Sequence, residues 1–297
     1  MRIVTRADFD GIVCAVLLRD AEPVEEPVKW VEPNAVQKGE VAIQAGDIMA
    51  NLPYHPACSL WFDHHYTNQQ PSSVPGAFRI APSAAGVIFD HYGGRFTRDY
   101  TELVRQADKI DSADLTLEEV RHPENHPYII LSMTVSSSRP DDEPYWNRLV
   151  DLLADHPLTA VMADPEVRKR CEAVVAQNQA YRDHIISHTR LIDHVAVTDF
   201  RKLSPAPSGN RFLVYSLFPE ASVHIRIRHD PEHPDKIIVN VGHSIFNRTC
   251  RVNVGLLLSR FGGGGHAGAG SCTVPVEGAD AAIDEIIETL RKNVKND

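Results

Sequence analysis

Short apolar runs alternate with helical patterns in the first part of the chain. Three runs are typical of buried strands: residues 2–5, 41–45 and 59–62. Apolar residues at helical spacing predict helices over residues 11–21, 83–92 and 100–107, with Asp10 as the N-cap of the first. Strands that alternate with helices predict an α/β fold with a mainly parallel sheet and flanking helices.

The rest of the chain predicts a helical connector and a smaller α/β domain. Residues 123–190 read as mostly helical with proline breaks, and one long helical pattern covers residues 167–192. Strand-like runs follow at residues 211–217, 223–228, 236–241 and 271–276, with helical patterns over residues 254–260 and 279–293. We therefore predict a first domain over residues 1–150, a helical connector over residues 151–194 and a second domain over residues 195–297.

The composition is that of a globular protein. A chain of 297 residues suffices for two domains, and 43% hydrophobic and 24% charged residues are ordinary for a soluble protein. The N-terminal residues do not resemble a signal peptide, and no apolar run has the length of a membrane span. Five scattered cysteines without a CxxC pair argue against a disulfide framework or a thiolate zinc site. We expect a cytoplasmic location and no membrane partner.

The charge is negative overall and unevenly distributed. A net charge of -10 argues against binding along long duplex DNA. Residues 1–194 carry 18 basic and 29 acidic side chains, whereas residues 195–297 carry 12 and 11. An acidic first part suits cation binding, and a nearly neutral second part with local arginines suits a short anionic ligand.

Acidic and histidine side chains follow several of the apolar segments. The triplet Asp63-His64-His65 comes directly after the run at residues 59–62 and reads as the polar tip of a buried strand. Other acidic points lie at comparable segment ends: Asp8 and Asp10, Asp47, and Asp108 and Asp111. In parallel sheets, ligands bind beyond the carboxyl ends of the strands, so these groups are expected to converge.

Such a cluster would suit a divalent metal. The candidate ligands are Asp8, Asp10, Asp47, His64 and either Asp108 or Asp111. Carboxylates with imidazole favour Mn over Mg, and Asp47 could bridge a pair of ions. Two ions can clamp a phosphoryl group and activate water, although one or two would be compatible with the pattern. Taken singly, Asp10 could be only a helix cap, Asp47 a turn residue, and the two histidines surface groups.

A run of four glycines predicts an anion cradle in the second domain. Gly263, Gly264 and Gly265 bring backbone N–H groups within reach of a ligand, and His266 follows them. Arg226 and Arg228, two residues apart on a predicted strand, share a face. The further polar candidates for substrate binding are His243, Ser244, Asn247, Arg248 and Arg251.

Taken together, these motifs resemble the DHH phosphoesterase superfamily over essentially the whole chain. Residues 5–11 resemble its first motif, Gly46-Asp47 its second, Asp63-His64-His65 with residues 82–86 its third, and residues 107–111 its fourth. Residues 261–266 resemble the glycine signature of the DHH-associated C-terminal domain. The resemblance implies a catalytic domain that holds Mn and a second domain that grips the rest of the substrate. It also implies that Asp63, His64 and His65 are catalytic, with His65 orienting the site or assisting proton transfer.

Two positions depart from the family pattern. Where the family has a His or Asp before the first aspartate, this chain has Val4 and Arg6, so one metal would have fewer protein ligands. Arg6 suits a phosphate oxygen or an ion pair instead. His243-Ser244 stands where related C-terminal domains often have Arg-Ser, which makes transfer of substrate specificity unsafe.

The resemblance implies a metal-dependent phosphoesterase that acts on short nucleotides. Dinucleotides, nano-RNA and linear products of cyclic dinucleotides are the expected substrates. One alternative is an exopolyphosphatase, which needs the metals but no base recognition. Another is a degenerate member that binds nucleotide as a sensor, motivated by Val4 and Arg6. A homodimer is left open.

Overall fold

A computed structural model describes residues 1–68, 74–137 and 140–296. The chain forms two compact units. The first comprises Met1–Leu115 and Pro123–Glu172, and the second comprises Thr116–His122 and Ala173–Asp297. The predicted α/β fold class is confirmed, with one sheet in each unit. Within the described residues, no helix combines the length and the apolar character needed to cross a membrane.

The first unit is built on a five-stranded, entirely parallel sheet. Its strands in chain order are β1 Arg2–Thr5, β2 Lys29–Trp30, β3 Asp47–Ala50, β4 Leu60–Asp63 and β5 Gly76–Phe78. Their order across the sheet is β2-β1-β3-β4-β5. The carboxyl ends of β1, β3 and β4 therefore lie side by side along one edge.

In the described part of the chain, nine α-helices come before the first strand of the second sheet. They are α1 Phe9–Ala21, α2 Pro33–Gln37, α3 Ala84–Tyr92, α4 Thr101–Asp111, α5 Leu117–Arg121, α6 Pro127–Met133, α7 Glu143–Asp155, α8 Leu158–Ala163 and α9 Pro165–His188. Residues 9–18 of α1 are buried on every side of the helix because α3, α4 and α7 pack around it. The N-terminal turn of α1 is thereby held rigidly at the sheet edge.

Three predictions in the first unit are wrong. The N-cap of α1 is Asp8, whose side chain accepts the Gly11 N–H at 2.8 Å, and Asp10 lies inside the first turn. The strand predicted at residues 41–45 lies instead at Asp47–Ala50, after a turn at Gly46 with φ +93°. Val41 and Ile43 are partly buried against the core, and this explains why the segment is apolar without being a strand. The helix predicted to end near residue 107 continues to Asp111, so both candidate aspartates are on α4.

The second unit contains a six-stranded mixed sheet. Its strands are β6 Thr189–Ile192, β7 Val195–Asp199, β8 Val223–His229, β9 Lys236–His243, β10 Gly264–His266 and β11 Ala269–Pro275. Their order is β10-β11-β9-β8-β7-β6, and only β7 and β8 are parallel. The helices that follow β7 in the chain are α10 Leu213–Leu217, α11 Val254–Ser259 and α12 Ala279–Lys292, and the second unit also includes α5 and most of α9.

Alternation along β8 separates a core face from a polar face. Val223, Ile225 and Ile227 are buried in a cluster that includes side chains of α11 and α12. Arg226 and Arg228 point to the opposite face, as the spacing of two predicts.

Three local predictions in the second unit need correction. Residues 211–217 hold the short helix α10 rather than a strand, because a short apolar run does not distinguish the two. The long helix ends at His188 and is followed by β6. Part of the glycine run is a strand, β10, that pairs with β11 in the register His266↔Ala269.

Candidate active site

Asp10 forms the buried floor of the site. Its two carboxylate oxygens accept the N–H groups of Ala84 and Ala85, each at 2.9 Å, at the N-terminus of α3. These donors and the helix dipole stabilise a negative charge there. Burial and the neighbouring carboxylates of Asp111 and Asp8 act in the opposite direction and raise the pKa of Asp10. A nearby positive charge would favour the carboxylate form.

His64, directly after β4, presents a ring nitrogen to this floor. Its Nδ1 lies 2.9 Å from the carbonyl oxygen of Ala81, so Nδ1 donates and Nε2 carries the lone pair. Nε2 lies 3.3 Å from Asp111 Oδ2 and 3.8 Å from Asp10 Oδ2, and it is buried without a hydrogen-bond partner among the described residues. Ligand atoms of Asp10, His64 and Asp111 lie within 4.8 Å of one another. This donor set fits a divalent cation.

Asp63 and His65 form a hydrogen-bonded pair beside His64, and ligand atoms of Asp63, His64 and His65 also lie within 4.8 Å of one another. Asp63 is buried, and its Oδ1 lies 2.8 Å from His65 Nδ1 while its Oδ2 accepts the Asn68 amide at 2.8 Å. Both oxygens of Asp63 are thus engaged. The hydrogen bond to Asp63 raises the pKa of His65, an imidazole that stays 38% exposed. Asp63 therefore orients His65 and favours its protonated form.

Asp8 is surrounded by nitrogen donors. Its Oδ1 accepts the Gly11 N–H at 2.8 Å and the Asn51 side-chain amide at 2.9 Å, and its Oδ2 lies 3.4 Å from Arg6 Nη1. Burial raises the pKa of Asp8 to about 6, although Arg6 and the Gly11 hydrogen bond act in the opposite direction.

Asn51 is a site residue that sequence reasoning missed. It directly follows β3 at the carboxyl edge, is 2% exposed and has φ +57°. Asn51 could have been predicted as a polar residue that directly follows a buried strand. It was missed because the strand was predicted at residues 41–45 instead of Asp47–Ala50.

The two candidate aspartates on α4 have different surroundings. Asp108 Oδ1 accepts the Ser83 hydroxyl at 2.6 Å and packs against Gly86, where an added Cβ would lie 2.6 Å from that oxygen. Asp108 thereby holds the N-terminal turn of α3. Asp111 is the one that faces His64.

Asp47 is not brought to the cluster. It begins β3 in register with Arg2 at the start of β1, and the two side chains form a bidentate ion pair at 2.9 and 2.8 Å. Asp47 therefore lies at the amino-terminal edge of the sheet. The structure does not support the prediction that Asp47 is a metal ligand of this cluster, because Asp47 begins its strand instead of ending it.

In the second unit, the arginine pair continues into a polar row across the sheet. Arg226 Nη2 donates to Asn240 Oδ1 at 3.3 Å, and Asn240 Nδ2 donates to Ser271 Oγ at 3.1 Å. Arg226, Asn240 and Ser271 are in register on β8, β9 and β11. Within the described parts of the chain, neither Arg226 nor Arg228 forms an ion pair, and burial with the charge of Arg226 lowers the pKa of Arg228. The row therefore has the polarity of an anion site.

The glycine hairpin is explained by backbone packing. A Cβ at Gly263 would lie 2.2 Å from the Ser271 carbonyl oxygen, and one at Gly265 would lie 2.3 Å from that of Ala269. Gly264 has open space, and His266 is exposed.

The remaining polar candidates have local partners. His243 Nε2 lies 3.0 Å from the Val252 carbonyl oxygen, and burial lowers the pKa of His243. Ser244 accepts two backbone N–H groups, including that of Asn247, whose amide donates to the Glu220 carbonyl at 3.1 Å. Arg248 Nε donates to the Ile245 carbonyl at 3.1 Å, and the Arg251 backbone N–H donates to Asn293 at 2.7 Å. A substrate role for these residues stays a prediction.

Comparisons with known proteins agree with the architecture. No protein-family model matches the sequence, and comparison with curated proteins gives no match. The solved structure of PggH, a pGpG-specific phosphodiesterase from Vibrio cholerae, is 31% identical, with 99% of each chain covered and a TM-score of 0.87. RecJ with Mn²⁺ from Thermus thermophilus is 14% identical over 99% of this chain and 52% of its own, with a TM-score of 0.59. An exopolyphosphatase-related protein from Bacteroides fragilis is 10% identical over 98% and 92% of the two chains, with a TM-score of 0.55.

Proposed function

The chain belongs to the DHH family of phosphoesterases, and from this we propose that it is a divalent-metal-dependent phosphodiesterase that hydrolyses linear dinucleotides such as pGpG. The single observation that carries the proposal is the buried Nε2 of His64, aimed between Asp10 and Asp111. The similarity to a pGpG-specific enzyme over 99% of both chains supports the choice of substrate.

The residues of the first unit would divide the work of hydrolysis. His64, Asp10 and Asp111 would hold the cation. When bound, such an ion supplies Lewis-acid polarisation of a phosphoryl oxygen and lowers the pKa of water. His65, oriented by Asp63 and half-exposed, would transfer a proton between solvent and the reacting group. Mn²⁺ is the preferred ion, since an imidazole and two carboxylates suit it better than Mg²⁺.

The second unit would bind the part of the substrate that is not cleaved. Arg226 and Arg228 form no ion pair within the described residues and suit an anionic group, while Asn240 and Ser271 add neutral polar groups. The exposed His266 and the half-buried Gly264, which has open space beside it, add a second candidate surface on the hairpin. A cytoplasmic location and a homodimer remain predictions of the sequence.

Hydrolysis by the purified chain tests the proposal. With Mn²⁺, we expect release of guanosine monophosphate from pGpG, faster than turnover of cyclic dinucleotides, phosphoadenosine phosphate or polyphosphate. Replacing His64 by Gln removes a ligand nitrogen, so the loss should exceed the roughly 10–100-fold typical of groups behind the ligands. Asp111→Asn should do the same. Asp114→Asn makes the same charge change on an exposed residue three positions later and should leave turnover unchanged.

Other outcomes would identify the alternatives. Faster release of phosphate from polyphosphate than of mononucleotide from pGpG would support an exopolyphosphatase. Nucleotide binding without turnover in any of these assays would indicate a sensor and refute the proposed activity.

A further inference from the structure

The carboxylates at the sheet edge fall into two chemically different groups. Around His64, the facing groups are acceptors: the lone pair of Nε2 and the oxygens of Asp10 and Asp111. Around Asp8, the hydrogen-bonding partners are the N–H groups of Gly11 and Asn51, and Arg6 forms an ion pair with it, while the charges of Asp111 and His65 also act on Asp8. A cation requires converging lone pairs, whereas N–H groups direct positive hydrogen atoms at the same oxygens.

The donors around Asp8 are held in place. Asn51 is buried, directly follows β3, and keeps its amide 2.9 Å from Asp8 Oδ1. The Gly11 N–H is fixed by the helix start at 2.8 Å. A cation at Asp8 would have to displace the amide or approach it from its hydrogen-bearing side, and both are unfavourable.

Arg6 supplies a permanent positive charge at the same place. Its Nη1 lies 3.4 Å from Asp8 Oδ2, and its Nε lies 3.8 Å from Glu32, a side chain that is 48% exposed. Arg6 Nε is buried and has no hydrogen-bond partner among the described residues. A guanidinium is protonated at every physiological pH and repels a neighbouring divalent ion. Asp8 therefore already has a counter-ion built into the chain.

We propose that this site binds one divalent cation, at Asp10, His64 and Asp111, and that Arg6 and Asn51 occupy the surroundings of Asp8 where a second cation would otherwise bind. The inference deepens the proposed function and rests on it for the reaction that the single cation serves. It adds a role for Asn51 and turns the departure at Arg6 into a determinant of metal content.

Counting bound metal tests the inference independently of turnover. The full chain is saturated with Mn²⁺, freed of excess ion by gel filtration, and measured by elemental analysis and native mass spectrometry. We expect one Mn²⁺ per chain in the wild type and none in His64→Gln. Electron paramagnetic resonance should show an isolated ion without coupling to a neighbour.

The reciprocal experiment builds the second position. The double variant Arg6→His/Asn51→Asp replaces both donor groups with ligands and should bind two Mn²⁺ with a coupled resonance signal. Asn34→Asp adds the same carboxylate at an exposed position and should still bind one. If circular dichroism shows that the double variant does not fold, the single variant Asn51→Asp takes its place. Calorimetry of that variant should show a second Mn²⁺ that binds more weakly than the first.

Metal content and activity separate the two proposals. Two Mn²⁺ in the wild type, or one in a folded variant carrying the new ligands, would overturn the inference whatever the activity. One Mn²⁺ without hydrolysis of any nucleotide would refute the proposed function and leave the metal count standing.

Discussion

Replacing Asp8 by Asn should stabilise the metal-free protein at neutral pH. The surroundings of Asp8 raise its pKa from 3.8 to about 6. A carboxyl group with a raised pKa in the folded state binds a proton on folding between these values, so its ionisation opposes folding above pH 6. Asn is neutral, remains a good N-cap and keeps an oxygen for the Gly11 N–H.

The pKa shift sets the size of the effect. A shift of about 2 units corresponds to about 3 kcal/mol at 1.36 kcal/mol per unit. Because the Asp8 side chain is 30% exposed, this figure is an upper limit, and we expect about 1–3 kcal/mol. The gain should be complete above pH 6, fall as the pH decreases through the folded pKa, and vanish near pH 4.

Urea unfolding with a chelator present, at pH 4.5, 6 and 7.5, measures this difference between variant and wild type. Asp114→Asn, at an exposed position, is the matched control and should show no such pH dependence. A variant that is less stable than wild type at pH 7.5, or a stability difference independent of pH, would refute the account of Asp8 as a desolvated carboxylate held by donors.

Three further substitutions test other parts of the molecule. Asp63→Asn should lower the pKa of His65, seen by NMR titration, and reduce kcat by roughly 10–100-fold; an unchanged titration would contradict the supporting role. Arg226→Gln should raise KM for pGpG by roughly tenfold or more with little change in kcat, because a charge-assisted contact is lost; an unchanged KM would remove it from the substrate site. Gly265→Ala should destabilise the second unit by roughly 1–3 kcal/mol, since φ is +146° and the Cβ meets backbone, whereas Gly264→Ala should not; equal thermal midpoints for the two variants would be inconsistent with this packing.

The position of one strand separates what local patterns reveal from what they do not. Residues 41–45 and 47–50 are both apolar, and nothing local to them states which pairs with β1. Asp47–Ala50 is the segment that pairs with β1. Its residues Ile48 and Met49 are fully buried in the sheet, whereas Val41 and Ile43 are only partly buried against the core. Because the strand lies a few residues later than predicted, Asn51 rather than Asp47 lies at the carboxyl edge of the sheet, next to the candidate site.

The sequence by itself determined the α/β class, the approximate places of most elements, and the convergence of Asp8, Asp10 and His64 at one sheet edge. These follow from the periodicity of apolar residues and from polar residues at strand ends, both of which are local properties. Only the tertiary structure decided that Asp111 faces His64, that Asp108 accepts a hydrogen bond from Ser83, and that Asp8 accepts a hydrogen bond from Asn51 and pairs with Arg6. The physical reason is that these contacts join strands and helices that are far apart in sequence. Packing therefore decides whether each carboxylate faces a cation site or a hydrogen-bond donor.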